Sequence, residues 1–230
     1  MNAVELNEAI GITDTRVLAG LLKMVEGQSG AAGAQLRYQT GVLSANGSVW
    51  LSQTVDRVYT FWTSLAKCFD TAQAIDSVTF ELMEQFRKDM VAVPAQGLPA
   101  IAVRNFAVRM ALAEQAKILA ATIFTSRREI DRYFSVINDA FEAAELVAAS
   151  GRDNVAYVAL IKLHAAVSND LANRARPLPK MVTYSFPKTR PSLAIAQSLY
   201  QDPSRSAELI SENSPIHPLF FPLTGRALSK

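Results

Sequence analysis

SRREIDRYFSVINDAF, residues 126–141, begins with a capping box and continues with apolar residues at helical spacing. Ser126 and Glu129 are placed to satisfy each other's free backbone amides at the start of a helix. Apolar residues then recur every three or four positions from Ile130 to Phe141, as on a helix with one buried face. This stretch therefore predicts an amphipathic α-helix.

The same helical period recurs in both directions along the chain, almost throughout residues 13–176. Prolines and glycines interrupt it, as they do at helix ends. The pattern predicts a bundle of helices over 13–27, 52–70, 77–92, 99–124, 127–150 and 154–176. The first helix is predicted to start behind a Thr13 or Asp14 cap. GQSGAAGAQLRYQTGVLSANGS, residues 27–48, is glycine-rich and aperiodic, which predicts a loop or hinge.

The composition of the chain changes near residue 180. MVTYSF, residues 181–186, is β-branched and aromatic, which predicts a strand or an extended linker. Two short helical patterns and an extended end follow, and the second pattern is predicted to end at Asn213, whose side chain tolerates the left-handed conformation. The predicted fold class is mainly α: a helical domain over 1–179, followed by a small C-terminal α+β module of β-α-α-β order over 180–230.

Composition and charge restrict the classes of protein that this chain can belong to. Because 50% of the residues are hydrophobic and 19% are charged, we expect a folded chain. A net charge of +2 gives too weak a long-range field to indicate nucleic acid by itself. No apolar run approaches the roughly 20 residues that span a bilayer, so we expect no membrane insertion. Cys68, the single cysteine, excludes an intramolecular disulfide and is interpreted as buried packing.

Motifs for catalysis and metal binding are weak in this sequence. Ser64 and Lys67 match the S-x-x-K of serine acyl enzymes, but the downstream partner motifs are missing. His164 and His217 are far apart and lack both H-E-x-x-H and clustered carboxylates, so a metal site is not predicted. We interpret His164 as a helix-surface or partly packed residue and His217 as a hydrogen-bonding turn residue. The sequence therefore predicts a protein that is not an enzyme and has no cofactor.

Basic residues cluster modestly in two parts of the chain. The candidates for contact with DNA or with an acidic protein partner are Arg127, Arg128, Arg132, Arg174, Arg176 and Lys180. Acidic residues such as Asp131 and Asp170 are interspersed among them, as on a solvated helix face. Both interpretations, a binding surface and a solvated face, stay open at this point.

The C-terminal segment PSLAIAQSLYQDPSRSAELISENSPIHPLFFPLTGRAL, residues 191–228, carries an ordered set of short motifs. Two helical motifs, an I-x-H-P turn and a closing strand resemble a LysM-type module. They resemble still more closely the C-terminal region of the Mu-like phage DNA circularisation (DNA circulation) protein N family, over roughly the last quarter of the chain. Gln201 stands where that family usually has glycine. The matching residues that we predict to form the docking module are Leu199, Tyr200, Asp202, Arg205, Glu208, Asn213, Ile216, His217, Pro218 and Gly225.

This resemblance implies a phage or prophage protein. Members of the family are encoded among tail and baseplate genes and are described as circularising or protecting incoming linear DNA. We therefore expect a non-enzymatic structural protein that packs against tail-tube or hub proteins, located in the virion tail or baseplate and in the host cytoplasm during assembly. One alternative is a DNA-end-binding protein that circularises or protects linear phage DNA non-covalently. A peptidoglycan-binding LysM-like module is a further alternative, and a homo-oligomer stays open.

Overall fold

A computed structural model describes residues 2–53 and 55–229. They are mainly helical, with a small two-stranded antiparallel sheet near the C-terminus, which confirms the predicted fold class at this level. The helices are α1 (Ala3–Ile12), α2 (Ala19–Met24), α3 (Ala31–Ser52), α4 (Val55–Gln73), α5 (Phe80–Val91), α6 (Leu98–Ala121), α7 (Arg127–Ser150), α8 (Asn154–Ala175), α9 (Ser192–Tyr200) and α10 (Ser206–Asn213); the strands are β1 (Met181–Ser185) and β2 (Thr224–Leu228). A π-helical segment, Thr13–Leu18, connects α1 to α2, and a 3-10 turn, Pro203–Arg205, precedes α10. Among the described helices, none combines the length and the apolar character needed to cross a bilayer.

The first helix begins earlier than the sequence pattern predicts. The Asn2 side-chain oxygen accepts a hydrogen bond from the Glu5 amide at 2.8 Å, and the Glu5 carboxylate accepts one from the Asn2 amide at 3.0 Å. This reciprocal capping box starts α1, so the predicted start at Thr13 or Asp14 is wrong. Thr13 is buried inside the helical segment, where its hydroxyl donates to the Ala9 carbonyl at 2.8 Å.

The largest correction concerns the glycine-rich stretch 27–48, most of which belongs to α3. Only the turn before α3 is irregular, and there Gly27 and Gly30 have φ angles of 78° and 131°. The loop prediction is wrong because a glycine weakens a helix by only about 1 kcal/mol relative to alanine. Tertiary packing of one helix face overrides a cost of that size.

Packing against α1 and α4 stabilises α3. Leu36 and Leu43 are fully buried in the hydrophobic core. At Gly47, a Cβ atom would lie 3.3 Å from Ile10 Cδ1 and 3.5 Å from Phe61 Cε2. Gly47, which weakens the sequence signal for a helix, therefore allows α3 to approach α1 and α4 closely.

Helix α7 has the bounds that its sequence predicts. Ser126 Oγ accepts a hydrogen bond from the Glu129 amide at 3.4 Å, as in the predicted capping box. The Glu129 carboxylate, however, accepts from the Thr125 amide at 3.1 Å. The second half of the box is therefore displaced by one residue toward the N-terminus.

The chain divides into two compact units. One comprises Met1–Thr122 and Ile137–Val167, and the other comprises Ile123–Val136 and Ser168–Lys230. This division differs from the predicted boundary near residue 180, because 123–136 and 168–179 group with the C-terminal elements. One contact that connects these segments within the second unit is the hydrogen bond from the Arg127 amide to the Pro179 carbonyl, at 3.3 Å.

The core of the first unit is built from large apolar side chains of its helices. Phe61 and Phe69 are fully buried, and the Phe69 ring packs edge-on against Phe86 with 5.6 Å between the centroids. Cys68 lies in the same core, and burial raises the pKa of its thiol to about 12. The cysteine is therefore a packing residue, as predicted.

A carboxylate on α1 caps the segment that leads into α6. Glu8 Oε1 accepts from the Gln96 amide and Glu8 Oε2 from the Gly97 amide, both at 2.8 Å. Amides at a helix start have no partner within the helix, so an acceptor from elsewhere stabilises them. These two hydrogen bonds lower the pKa of Glu8 below its ordinary value. Because the pKa of the folded state is the lower one, this stabilisation is present at neutral pH and is lost as the pH falls through the lowered pKa.

We predict that Glu8→Gln lowers the midpoint of thermal unfolding at neutral pH, because an amide offers one acceptor oxygen to two donors. The difference from the wild type should shrink in acid, where the wild-type carboxylate becomes protonated. Circular dichroism melts across a pH series measure both effects. Glu26→Gln, at an exposed glutamate, is the control and should match the wild type throughout. A Glu8→Gln deficit that does not change with pH would contradict the role of the carboxylate.

Candidate docking module and basic cluster

The four C-terminal elements form a module in the order β1, α9, α10, β2. The two strands pair antiparallel, with Met181 opposite Leu228 and Ser185 opposite Thr224. This order agrees with the β-α-α-β prediction. Its hydrophobic core consists of Tyr184, Ile195, Ala196, Tyr200, Leu209, Phe221 and Ala227, and Leu199 packs against it.

Asn213 connects the end of α10 to β2. Its Nδ2 donates to the Leu209 carbonyl at 2.9 Å and to the Arg226 carbonyl at 2.7 Å, and its Oδ1 accepts from the Arg226 amide at 2.7 Å. Helix α10 ends at Asn213, as the sequence predicts, and the residue in the left-handed conformation is the next one, Ser214, with φ of 44°. The connection from the last residue of α10 to β2 is therefore made by the asparagine side chain.

Gly225 lies under the aromatic ring of Tyr184, its partner on the opposite strand. A Cβ atom at position 225 would lie 2.5 Å from Tyr184 Cζ and 2.6 Å from Asn213 Oδ1. Distances this short do not occur for real Cβ atoms, so any side chain here would displace the ring or the amide. Burial also raises the pKa of the Tyr184 hydroxyl. Glycine is therefore required by close packing.

We predict that Gly225→Ala destabilises the module by about 1–3 kcal/mol, because Tyr184 and Asn213 must both shift to admit a methyl group. Amide hydrogen exchange over 181–228 in the full chain measures this loss. Gly41→Ala is the matched control: no atom lies within 4 Å of its Cβ position, and alanine favours a helix interior by roughly 0.5–1 kcal/mol. Unchanged protection in Gly225→Ala would contradict the packing constraint.

Polar and charged motif residues between α9 and the first turn of α10 make local contacts. The hydroxyl and the amide of Ser204 donate to Asp202 Oδ1 at 2.7 and 2.9 Å, and they lower the pKa of this carboxylate in that order. Arg205 forms a two-point ion pair with Glu208, at 2.8 and 3.1 Å, and its guanidinium lies 3.8 Å from the centre of the Tyr200 ring. Burial first, and then Glu208, raises the pKa of Tyr200 to about 12. These residues hold the turn together.

His217 makes the hydrogen bonds of a turn residue. Its Nδ1 accepts from the Leu219 amide at 3.2 Å, and its carbonyl accepts from the Phe220 amide at 3.0 Å. The Pro218 carbonyl accepts from the Ser192 amide at 2.8 Å, which connects the turn to the start of α9. The I-x-H-P motif therefore positions the chain that leads from α10 to β2.

The segment between α10 and β2 exposes four large apolar side chains within eight residues. Ile216 is fully exposed, and Leu219, Phe220 and Leu223 are 53%, 71% and 48% exposed, whereas Phe221 is 1% exposed and belongs to the core. We call Ile216, Leu219, Phe220 and Leu223 the apolar segment. In the sequence these residues form an apolar run interrupted by prolines. Because the run has no regular hydrophobic period, the sequence does not indicate which of its side chains face outward.

The six predicted basic residues all belong to the second unit, and they differ in their surroundings. Arg127 and Arg176 line one groove of about 290 Å³, together with Asp131. Arg174 pairs with Asp170 at 3.1 Å, and its guanidinium lies 4.6 Å from the centre of a phenylalanine ring. Of these three arginines, Arg127 and Arg176 line the groove and Arg174 does not.

The other three basic residues lie outside that groove. Arg128 is 4.0 Å from Glu212, and the Arg132 guanidinium lies 5.5 Å from the centre of the Tyr133 ring. The Lys180 amide donates to the Ser229 hydroxyl at 2.9 Å, and its side chain is exposed. DNA binding would require the two basic clusters to share one face, and the groove brings together one arginine from each cluster, Arg127 and Arg176.

His164 is a packed residue of α8. Its Nδ1 lies 2.9 Å from Glu145 Oε1, its Nε2 lies 2.9 Å from Asn138 Oδ1, and its ring stacks on Phe141 with 4.9 Å between the centroids. Both ring nitrogens thus have partners from α7. Across residues 2–53 and 55–229, no group of three or more His, Cys, Asp or Glu side chains could hold a metal ion.

No model of a known protein family matches this chain, and no curated protein shows significant sequence similarity to it. The fold by itself defines the chain as a mainly helical protein with a C-terminal β-α-α-β module. In that module the charged motif residues interact internally, and the apolar segment faces outward.

Proposed function

We propose that this chain is a non-enzymatic structural component of a phage tail or baseplate, related to the DNA circularisation protein N family. Its module, of LysM type, docks on a tail-tube or hub protein through the apolar segment. The exposure of Ile216 and Phe220 carries this proposal. Large apolar side chains that are exposed close together are typical of protein contact sites, where aromatic anchors contribute most of the binding energy.

The backbone of the module supports the relationship to this family. Gln201 ends α9 in the left-handed conformation, with φ of 60° and ψ of 22°. Glycine adopts this conformation without steric cost, which explains why the family usually has glycine at the matching position. Gly225 and Asn213 likewise have specific packing and hydrogen-bonding roles. The motif positions therefore agree with the requirements of one particular module fold.

The charged residues of the motif support a structural role rather than an acid–base role. The Asp202 carboxylate accepts hydrogen bonds from Ser204, and the carboxylate of Glu208 is paired with Arg205. A general acid or base needs free access to a substrate proton. Side chains that are occupied within their own turn favour stabilisation of the module.

We predict that Ile216→Ser/Phe220→Ser weakens a complex with a tail protein at least tenfold, or about 1.4 kcal/mol. The full chain is co-expressed with the products of the neighbouring genes, and complexes are measured by affinity co-purification and calorimetry. Val55→Ser/Tyr59→Ser is the matched control, because it removes a β-branched and an aromatic side chain that are 85% and 70% exposed on α4.

The control variant should bind like the wild type. Equal binding by both double variants, or equal loss in both, would contradict docking through the apolar segment. A wild-type chain that forms no complex with any tail protein would contradict the proposed function itself.

A DNA-end-binding protein is the second candidate, favoured by the groove that Arg127 and Arg176 share. Within the described chain, neither guanidinium has an acidic hydrogen-bond partner, although Asp131 lines the same groove. Two arginines in one groove suit contact with adjacent phosphates. Peptidoglycan binding stays a prediction of the LysM-like resemblance alone.

We predict for this candidate that Arg127→Glu/Arg176→Glu weakens binding to a linear DNA duplex. The slope of log affinity against log salt concentration should become shallower by the amount that about two phosphate contacts contribute. Fluorescence anisotropy over a salt series measures the slope. Arg16→Glu/Arg57→Glu changes the net charge equally at exposed positions of the first unit and should keep the wild-type slope. No binding by the wild type at low salt would eliminate this candidate.

A further inference from the structure

A separate cavity of about 260 Å³ lies in the first unit, between α5, α6 and α7. Arg87 and Val91 line it from α5, Arg104 and Val108 from α6, and Val147 from α7. Helix packing normally fills such a space with side chains. An open cavity with charged and apolar walls is therefore a candidate for a ligand site.

Among the described residues, those that line this cavity include three arginines, Arg87, Arg104 and Arg109, and no aspartate or glutamate. Two of them have acidic partners that lie outside the wall. Arg87 forms a two-point pair with Glu84 at 2.7 and 2.8 Å, and Arg109 Nη1 lies 2.6 Å from Asp153 Oδ2. The charges of these two arginines are balanced within the protein.

Arg104 differs from the other two arginines. Its Nη1 donates to the Val93 carbonyl at 3.3 Å, and its Nε and Nη2 donate to Asn105 Oδ1 at 3.4 Å. These bonds are long and go to neutral acceptors, and in the part of the chain that the structure describes Arg104 has no acidic partner. A partly buried guanidinium without a counter-charge favours an anionic ligand, above all a carboxylate that matches its planar geometry.

Valine side chains determine which kind of anion suits this cavity. Val91 and Val147 remain 57% and 46% exposed, and Val108, at 9%, is nearly buried. A small inorganic anion would leave the two exposed valines in water. A ligand with a hydrocarbon part would bury them, and each square ångström of apolar surface removed from water contributes about 25 cal/mol.

We propose that this cavity binds an aliphatic carboxylate, whose carboxylate pairs with Arg104 and whose hydrocarbon chain packs against Val91, Val108 and Val147. Two sources share this chemistry: a free fatty acid, and the C-terminal carboxylate of a protein that ends in an aliphatic residue. The inference is independent of docking through the apolar segment, because it concerns the other compact unit. Either one can fail without the other.

Titration of octanoate into the full chain, followed by calorimetry and NMR, tests this site. We expect octanol, which has the same hydrocarbon chain without the charge, to bind at least tenfold more weakly than octanoate. Arg104→Gln should weaken octanoate binding at least tenfold. Arg57→Gln, which removes an exposed arginine of α4, is the matched control and should keep the wild-type affinity.

Val147→Asp tests the same site without changing an arginine, since it places a negative charge at a half-exposed wall position. It should weaken octanoate binding and leave the circular dichroism spectrum unchanged. The peptide acetyl-Ala-Ala-Leu distinguishes the two sources of the carboxylate. If the peptide binds more tightly than octanoate and loses this binding when its C-terminus is amidated, the ligand is the C-terminus of a protein chain. If the peptide binds more weakly than octanoate, the ligand is a fatty acid. Failure of both ligands to bind the wild type, or equal octanoate affinity in Arg104→Gln and Arg57→Gln, would overturn the proposal.

Discussion

Backbone amides and carbonyls at the ends of helices and strands need hydrogen-bond partners, and in this chain distant side chains supply them. Glu8 binds the amides of Gln96 and Gly97, far away in sequence. Asn213 binds both backbone groups of Arg226. Each contact adds a polar connection to an element that is also held by other contacts: α6 contributes Val103 and Ala107 to the hydrophobic core, and β2 pairs with β1.

The module separates residues that hold its fold from residues that face solvent. Tyr184, Gly225 and Asn213 form one close-packed group, and the Arg205–Glu208 pair covers the Tyr200 ring. The four side chains of the apolar segment are exposed, whereas Phe221, which lies between two of them in the sequence, is buried in the module core. A well-packed core beneath exposed apolar side chains lowers the entropy cost of binding a partner, which supports the docking proposed above.

Arginines occur in this protein in two electrostatic situations. Arg87, Arg109 and Arg174 have carboxylate partners, which balance their charge. Arg104 and Arg176 line cavities without an acidic hydrogen-bond partner in the described chain. Arg104 is partly buried, whereas Arg176 is exposed. A guanidinium that is partly desolvated and unpaired, as in Arg104, gains most from an external anion. Spatial surroundings, rather than the number of basic residues, thus distinguish candidate binding positions from an ordinary solvated face.

The sequence by itself determined the mainly helical class, the bounds of α7 and the β-α-α-β order, because these depend on local period and on caps within a few residues. It failed for α3, because glycine and alanine conceal a helix whose stability comes from packing against α1 and α4. Only the tertiary structure decided which arginines remain unpaired and which side chains of the apolar segment face outward. The physical reason is that burial and charge pairing depend on contacts between residues far apart in the chain, and no local pattern records those contacts.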